Sequence, residues 1–273
     1  MAIRILLRVA EKEFLNARRD TRIIAISIIF TLLALGIAYF GSAPTGMLGV
    51  RGFDVTVASL VSLSIFIVPL VALLLGYDAI VGEDEMGTLG LLLSFPVTRA
   101  EVLMGKFIGL STILFLSTAM GYGLAGIVIA LAAGIEELGS YLVFIATSVL
   151  LGMVFLSLAL FLSAISGQKS RAVFGAISIW IFFVIIYDLI LLGLMIFTKG
   201  ALGTKVFSLL LMLNPTDAFR LLNLLGLEVM RTSLGLATLI PEAYSSMVFA
   251  LALAVWVIAP LLGAIVVFRK RDY

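Results

Sequence analysis

The 273-residue chain contains no cysteine and no histidine. The first absence excludes disulfides, thiolate metal sites and a cysteine nucleophile. The second removes the commonest general base and the commonest metal ligand. Histidine-based hydrolase triads and zinc sites go with it. Charge is scarce as well: 12% of residues are charged, against about 25% in an average soluble domain. A soluble protein of this length must still cover its surface with polar groups, so a larger core does not explain the deficit. With 63% of the residues hydrophobic, lipid is the expected solvent for most of the chain. The net charge of +2 says little by itself, and no nucleic-acid partner is expected. A P-loop is missing too. Gly105-Lys106 is followed by Phe107, and Gly167-Gln168-Lys169-Ser170 breaks the G-K-[ST] spacing.

What is present is apolar and periodic. Six uncharged stretches reach the roughly 20 residues that cross a bilayer: Ile23–Phe40, Val57–Tyr77, Phe107–Ala133, Tyr141–Ser166, Ala172–Phe197 and Met247–Phe268. All are expected to be helices, because a lone strand in hydrocarbon leaves its backbone groups unsatisfied. The expected fold is an all-α membrane protein, one transmembrane domain over 1–273. The bases divide 13 to 5 between the two sides of such a bundle. By the positive-inside rule both termini lie in the cytoplasm. Gly41-Ser42-Ala43 offers small residues to a signal peptidase. The preceding apolar run of about 18 residues is too long for a signal h-region, so an uncleaved anchor is expected.

Residues 1–22 precede the first span. Ile3, Leu6, Leu7, Ala10, Phe14 and Ala17 recur at helical spacing, with Arg4, Arg8, Glu11, Lys12 and Asn16 between them. This pattern predicts an amphipathic helix in the cytoplasmic interface, its bases against anionic headgroups. Residues 198–246 are too apolar for a free loop. Asn214-Pro215 predicts an N-cap followed by a proline in the first helical position, and Gly226 an end or kink. Short helices on the outer face are expected there.

The segment 78–106 interrupts the apolar pattern. Asp78, Glu83, Asp84 and Glu85 fall within eight positions, and no base follows before Arg99. Phe95-Pro96 stops any preceding helix. Thr98-Arg99-Ala100-Glu101 is a capping box that predicts the foot of the third span. A short helix between Gly82 and Ser94 would hold the acids in its first turn, weakened by Gly87 and Gly90. The apolar "LGLLLSF" beside the acids reads as a docking element for another protein. Tyr187 and Asp188 lie toward the outer end of the fifth span, where an acid faces a bundle interior or a water-filled route. The competing reading for Asp188 is a hydrogen bond to Tyr187 or to a neighbouring helix backbone. Ten methionines suit copper(I), but without Met-x-x-Met spacing they read as packing.

The run Asp78, Gly82-Glu83-Asp84-Glu85, Gly87-Thr88-Leu89, Leu92-Leu93-Ser94, Pro96, Arg99, Glu101 and Gly105-Lys106 resembles the signature loop of type-2 ABC transporter permeases. Asp84 and Gly90 depart from the usual pattern, which touches the loop's charge contacts. The order of six spans and the amphipathic start agree over the full length. Within the family, "YDLILLG" and "LNPTDAFRLLN" resemble permeases that serve maturation of the copper sites of nitrous oxide reductase. The resemblance implies a coupling helix that inserts into a separate ABC ATPase, through Asp78, Gly82, Glu83, Asp84, Glu85, Gly87, Thr88, Leu89, Pro96 and Arg99. It implies two permease copies and two ATPases in the cell membrane, with ATP and magnesium on the ATPase, and an extracytoplasmic protein as a further partner. No catalytic residue, cofactor or metal is then expected in this chain. Two other readings remain open: a stand-alone channel or proton-coupled carrier using Asp188, and a membrane scaffold.

Overall fold

A polypeptide in hydrocarbon must satisfy its backbone hydrogen bonds internally, and helices do so within each segment. In the computed structural model, residues 2–42, 50–133, 138–199, 203–224 and 246–271 are described, and all regular structure among them is helical. The elements are α1 (Ala2–Arg19), α2 (Thr21–Ser42), α3 (Val50–Gly76), α4 (Val81–Glu85), α5 (Thr88–Leu93), α6 (Arg99–Ala133) and α7 (Leu138–Ile165). There follow α8 (Lys169–Ile181), a π-bulge (Phe182–Ile186), α9 (Tyr187–Phe197), α10 (Thr204–Met212), α11 (Pro215–Leu224) and α12 (Ser246–Lys270). Six helical stretches are long and apolar enough to cross a membrane, in the order expected from sequence. α8, the bulge and α9 form the fifth as one rod.

α7 is the central helix, packed against α3, α6, α11 and α12. Small residues let the backbones approach, as is usual where lipid supplies no hydrophobic drive between helices. A Cβ on Gly76 would fall 2.7 Å from Ala159, and one on Gly152 would fall 2.5 Å from Leu114. The hydroxyls of α7 turn inward but stay satisfied: Ser148 donates to the Phe144 carbonyl at 2.8 Å and Ser157 to the Val154 carbonyl at 2.7 Å. The fifth span is the least buried and lies at the edge of the bundle.

Long-range hydrogen bonds collect four regions at one end. Lys169 joins Asp78, Arg99 reaches the Phe268 carbonyl, and Arg271 donates to the Ser166 carbonyl at 2.6 Å. α1 packs along the foot of α6 at the same end. α10 and α11 dock at the other.

Candidate coupling site

The 78–106 segment forms two short helices where one was predicted. Gly87 divides them with φ of 70°, a left-handed conformation that costs other L-residues roughly 1–2 kcal/mol. α4 carries Glu83, Asp84 and Glu85, and α5 carries Thr88 and Leu89. The capping box forms as expected. Thr98 donates its backbone amide to Glu101 Oε2 at 2.7 Å, Glu101 returns its amide to Thr98 Oγ1 at 3.2 Å, and α6 begins at Arg99.

The acids are not without bases, although the local sequence offers none. Lys106 is fully buried on α6, with Nζ 2.7 Å from Glu13 Oε1 and 2.9 Å from Glu83 Oε2. Burial pushes the Glu83 carboxyl up, but Lys106 and Lys12 together hold it below its ordinary pKa. Lys12 closes the group, donating to Glu83 Oε1 at 2.7 Å. Partial burial alone would lower the Lys12 pKa, but the Glu83 hydrogen bond and charge raise it above its ordinary value. Lys169 pairs with Asp78 at 2.8 Å and donates its backbone amide to Glu85 Oε1 at 2.7 Å. Ser163 of α7 accepts from the amides of Ile80 and Val81 at 3.0 and 3.1 Å, satisfying donors at the start of α4. Gly82 is buried and packs over Asp78, Thr88 Oγ1 donates to the Glu83 carbonyl at 3.2 Å, and Leu89 is fully buried.

The structure adds intrachain partners that the local sequence does not show. Asp78, Glu83 and Glu85 are engaged by this chain's own groups, and Asp84 is half-buried. The surface turned outward carries a large apolar part: Met86 is 71% exposed, Leu91 67% and Phe95 64%, with Pro96 beside them, and it also exposes Glu85, Thr88 and Ser94. Arg99 faces inward, onto the carbonyls of Phe268 and Arg269 at 3.0 and 3.2 Å and onto that of Arg271.

α1 also differs from its predicted face. Its buried stripe is Val9, Ala10, Glu13 and Ala17, while Leu7 is 56% exposed. Gly105 and Gly109, four apart on α6, admit it. A Cβ on Gly105 would meet Val9 at 2.8 Å, and one on Gly109 would strike the Ala10 carbonyl oxygen. Sequence reasoning names Lys106 only as the end of the family-like run and does not single out Glu13; neither is read as half of a buried ion pair. The available signal was that each interrupts an otherwise apolar helix face.

At the far end, Asp188 pairs with Arg220 of α11 at 3.0 Å, neither with Tyr187 nor with a backbone group. Arg220 also holds Asp217 at 2.8 Å. Tyr187 donates to the Leu210 carbonyl at 2.7 Å. The expected Asn214 cap is present: its Oδ1 accepts the Thr216 amide at 3.0 Å. The π-bulge presents the Phe183 carbonyl, which accepts from Asn214 Nδ2 and Thr216 Oγ1, both at 3.0 Å. Trp256 donates to the Met212 carbonyl at 3.2 Å. Gly226, Met47 and Met230 lie outside the described residues.

This architecture can be compared with known proteins. The family model described as "ABC-2 family transporter protein" matches residues 7–273. The chain belongs to the ABC-2 transporter family. The chain is 44% identical over 269 residues to the "Probable ABC transporter permease protein NosY" of Pseudomonas aeruginosa, covering 96% of this chain and 97% of that protein. A protein of the same name from Stutzerimonas stutzeri is 43% identical over 272 residues, at the same coverage. The ABC-2 protein described here is therefore a permease subunit of an ABC transporter and a multi-pass protein of the cytoplasmic membrane. Among the described residues, the 78–106 segment gathers ion pairs at one end, and the Asp188–Arg220–Asp217 group does so at the other.

Proposed function

We propose that this ABC-2 permease is driven by a separate ABC ATPase docking on the 78–106 segment. In this reading the acids do not touch the motor. Asp78, Glu83 and Glu85 clamp α4 to α1, α6 and the start of α8, and the apolar face of Met86, Leu91 and Phe95 enters the ATPase. Gly82, Asp84, Gly87, Thr88, Leu89, Pro96 and Arg99 shape and seat that face. The observation that carries this is the pairing of an exposed apolar surface with a rigid ionic base. A push on α5 passes through Glu83 to Lys106, and so to the foot of the third span.

The segment then lies in the cytoplasm, with both termini. ATP and magnesium belong to the ATPase, and two permease copies complete the transporter. Asp188 and Arg220 are 35% and 37% exposed in their side chains, which is costly against lipid. We therefore place Tyr187 and Asp188 beside a hydrated route between the two copies. The likeness to NosY permeases supports a role in maturing the copper sites of nitrous oxide reductase, with an extracytoplasmic acceptor protein.

The test is co-reconstitution with a candidate ABC ATPase from the same organism. Leu91→Asp should abolish transport-coupled ATP hydrolysis and co-purification of the ATPase, while the permease still inserts at wild-type yield. Retained co-purification and coupling would refute the docking face. Conductance or proton exchange by the permease alone in liposomes would favour the channel or carrier reading instead.

A further inference from the structure

A groove of about 200 Å³ opens between the C-terminal turn of α1, the first turns of α2 and the middle of α6. Phe14, Ile24, Ile28, Leu116 and Met120 form its walls, and Arg18 stands at its mouth. The two hydroxyls inside it are spent on each other: Ser27 donates to Ser117 at 3.1 Å. Apart from these two hydroxyls and Arg18, the lining is apolar. Farther into the membrane, Ser27 and Ser117 also border a much smaller void lined by Phe30. Phe30 seats on Gly121, where an added Cβ would fall 2.6 Å from the ring. One long side stays open, because Ile24, Ile28, Leu116 and Met120 are each about half exposed, at 45%, 50%, 47% and 51%. From Arg18 inward it follows α6 from Ile113 to Met120, roughly 10 Å at the helical rise.

The charge at the mouth is one-sided. Arg18 and Arg19 are both exposed in the last turn of α1, where a cation also suits the helix dipole. The nearest acid in sequence, Asp20, lines a different cavity together with Glu13 and Asp78. An apolar trough open to lipid, with a guanidinium at its rim, matches a single acyl chain below an anionic phosphate.

We propose that this groove is a binding site for one anionic phospholipid. Its acyl chain runs along Ile24, Ile28, Leu116 and Met120, and its phosphate meets Arg18. A neutral lipid fills the same trough but gains nothing from Arg18. One base near an anionic headgroup contributes about 1 kcal/mol, which is roughly five-fold in occupancy. The site would tie the α1–α6 joint to the composition of the surrounding bilayer.

The test uses the full chain in phosphatidylcholine nanodiscs doped with phosphatidylglycerol or phosphatidylcholine carrying an acyl-chain diazirine. After illumination, labelled peptides are mapped by mass spectrometry. The expected result is labelling of peptides containing residues 23–28 and 113–120, about five-fold stronger with the phosphatidylglycerol probe. Arg18→Gln should bring that ratio close to one and leave phosphatidylcholine labelling unchanged, which also shows that the variant is folded. Lys270→Gln removes a base remote from the groove and should leave the ratio intact. Equal labelling by the two probes in the wild-type protein would overturn the proposal. So would a phosphatidylglycerol preference that survives Arg18→Gln, or one that Lys270→Gln reduces equally.

Discussion

Lys106 is fully buried and faces two carboxylates, Glu13 and Glu83. Removing one member of such a group leaves uncompensated charge and costs about 3–5 kcal/mol. Lys106→Met should therefore unfold at a much lower temperature in detergent, and adding Glu13→Gln should recover part of the loss. Lys12, whose side chain is 45% exposed, holds Glu83 from the rim, and Lys12→Ala should cost under about 1 kcal/mol. At the opposite end, burial raises the Asp217 pKa. Arg220 opposes the rise and Asp188 adds to it, and the result is about 7. Because this value lies above the ordinary 3.8, the folded protein holds a proton that the unfolded chain releases between about pH 4 and 7. The group's contribution to stability is therefore largest in acid, falls as pH rises through that window, and is flat above it. Intrinsic-rate-corrected hydrogen exchange in α11 should be faster at pH 8 than at pH 5, and Asp217→Asn should flatten the difference. A pH dependence that persists in the Asn variant would assign the proton elsewhere.

At the scale of elements, α1 and α6 behave as one lever because nothing separates their backbones. Gly109→Leu would drive a side chain into the Ala10 carbonyl, where no rotamer relieves the clash. Overpacking of this kind costs about 1–3 kcal/mol. The expected outcome is an α1 that becomes accessible to protease, while the six spans still insert and ATP hydrolysis no longer drives transport. Much at this scale was legible in the sequence. The capping box at Thr98 and Glu101 and the Asn214 cap of α11 are local motifs, completed within three residues, and they form as read. The burial face of α1 was not legible. Val9 turns inward only because Gly105 lacks a side chain 96 positions later, and Glu13 only because Lys106 is there to meet it. The split of 81–93 into two helices follows from one left-handed residue, Gly87.

For the whole molecule, the absence of native cysteine makes any single introduced cysteine unambiguous. The fifth span is the least buried of the six, and Leu189 on it is 60% exposed. If this span faces a second copy, Leu189→Cys should crosslink to a dimer on oxidation in native membranes, whereas Leu131→Cys, 85% exposed on the third span, should not. Membrane-impermeant thiol labelling of Ser94→Cys should require access from the cytoplasmic side. Labelling from outside would invert the topology and remove the docking face from any ATPase.

The chain's composition alone determined that this is a helical membrane protein with six spans, because uninterrupted apolar length is a property of the sequence and hydrocarbon admits few backbone geometries. Short-range motifs fixed where helices start. Only the tertiary structure decided what the charges do. An ion pair such as Lys106–Glu13 joins residues 93 apart, and no local pattern encodes which of many bases will reach a given acid. That choice follows from how closely the helices pack, which the glycines permit and the fold as a whole enforces. It gave Asp78, Glu83 and Glu85 partners within the chain that lie far from them in sequence.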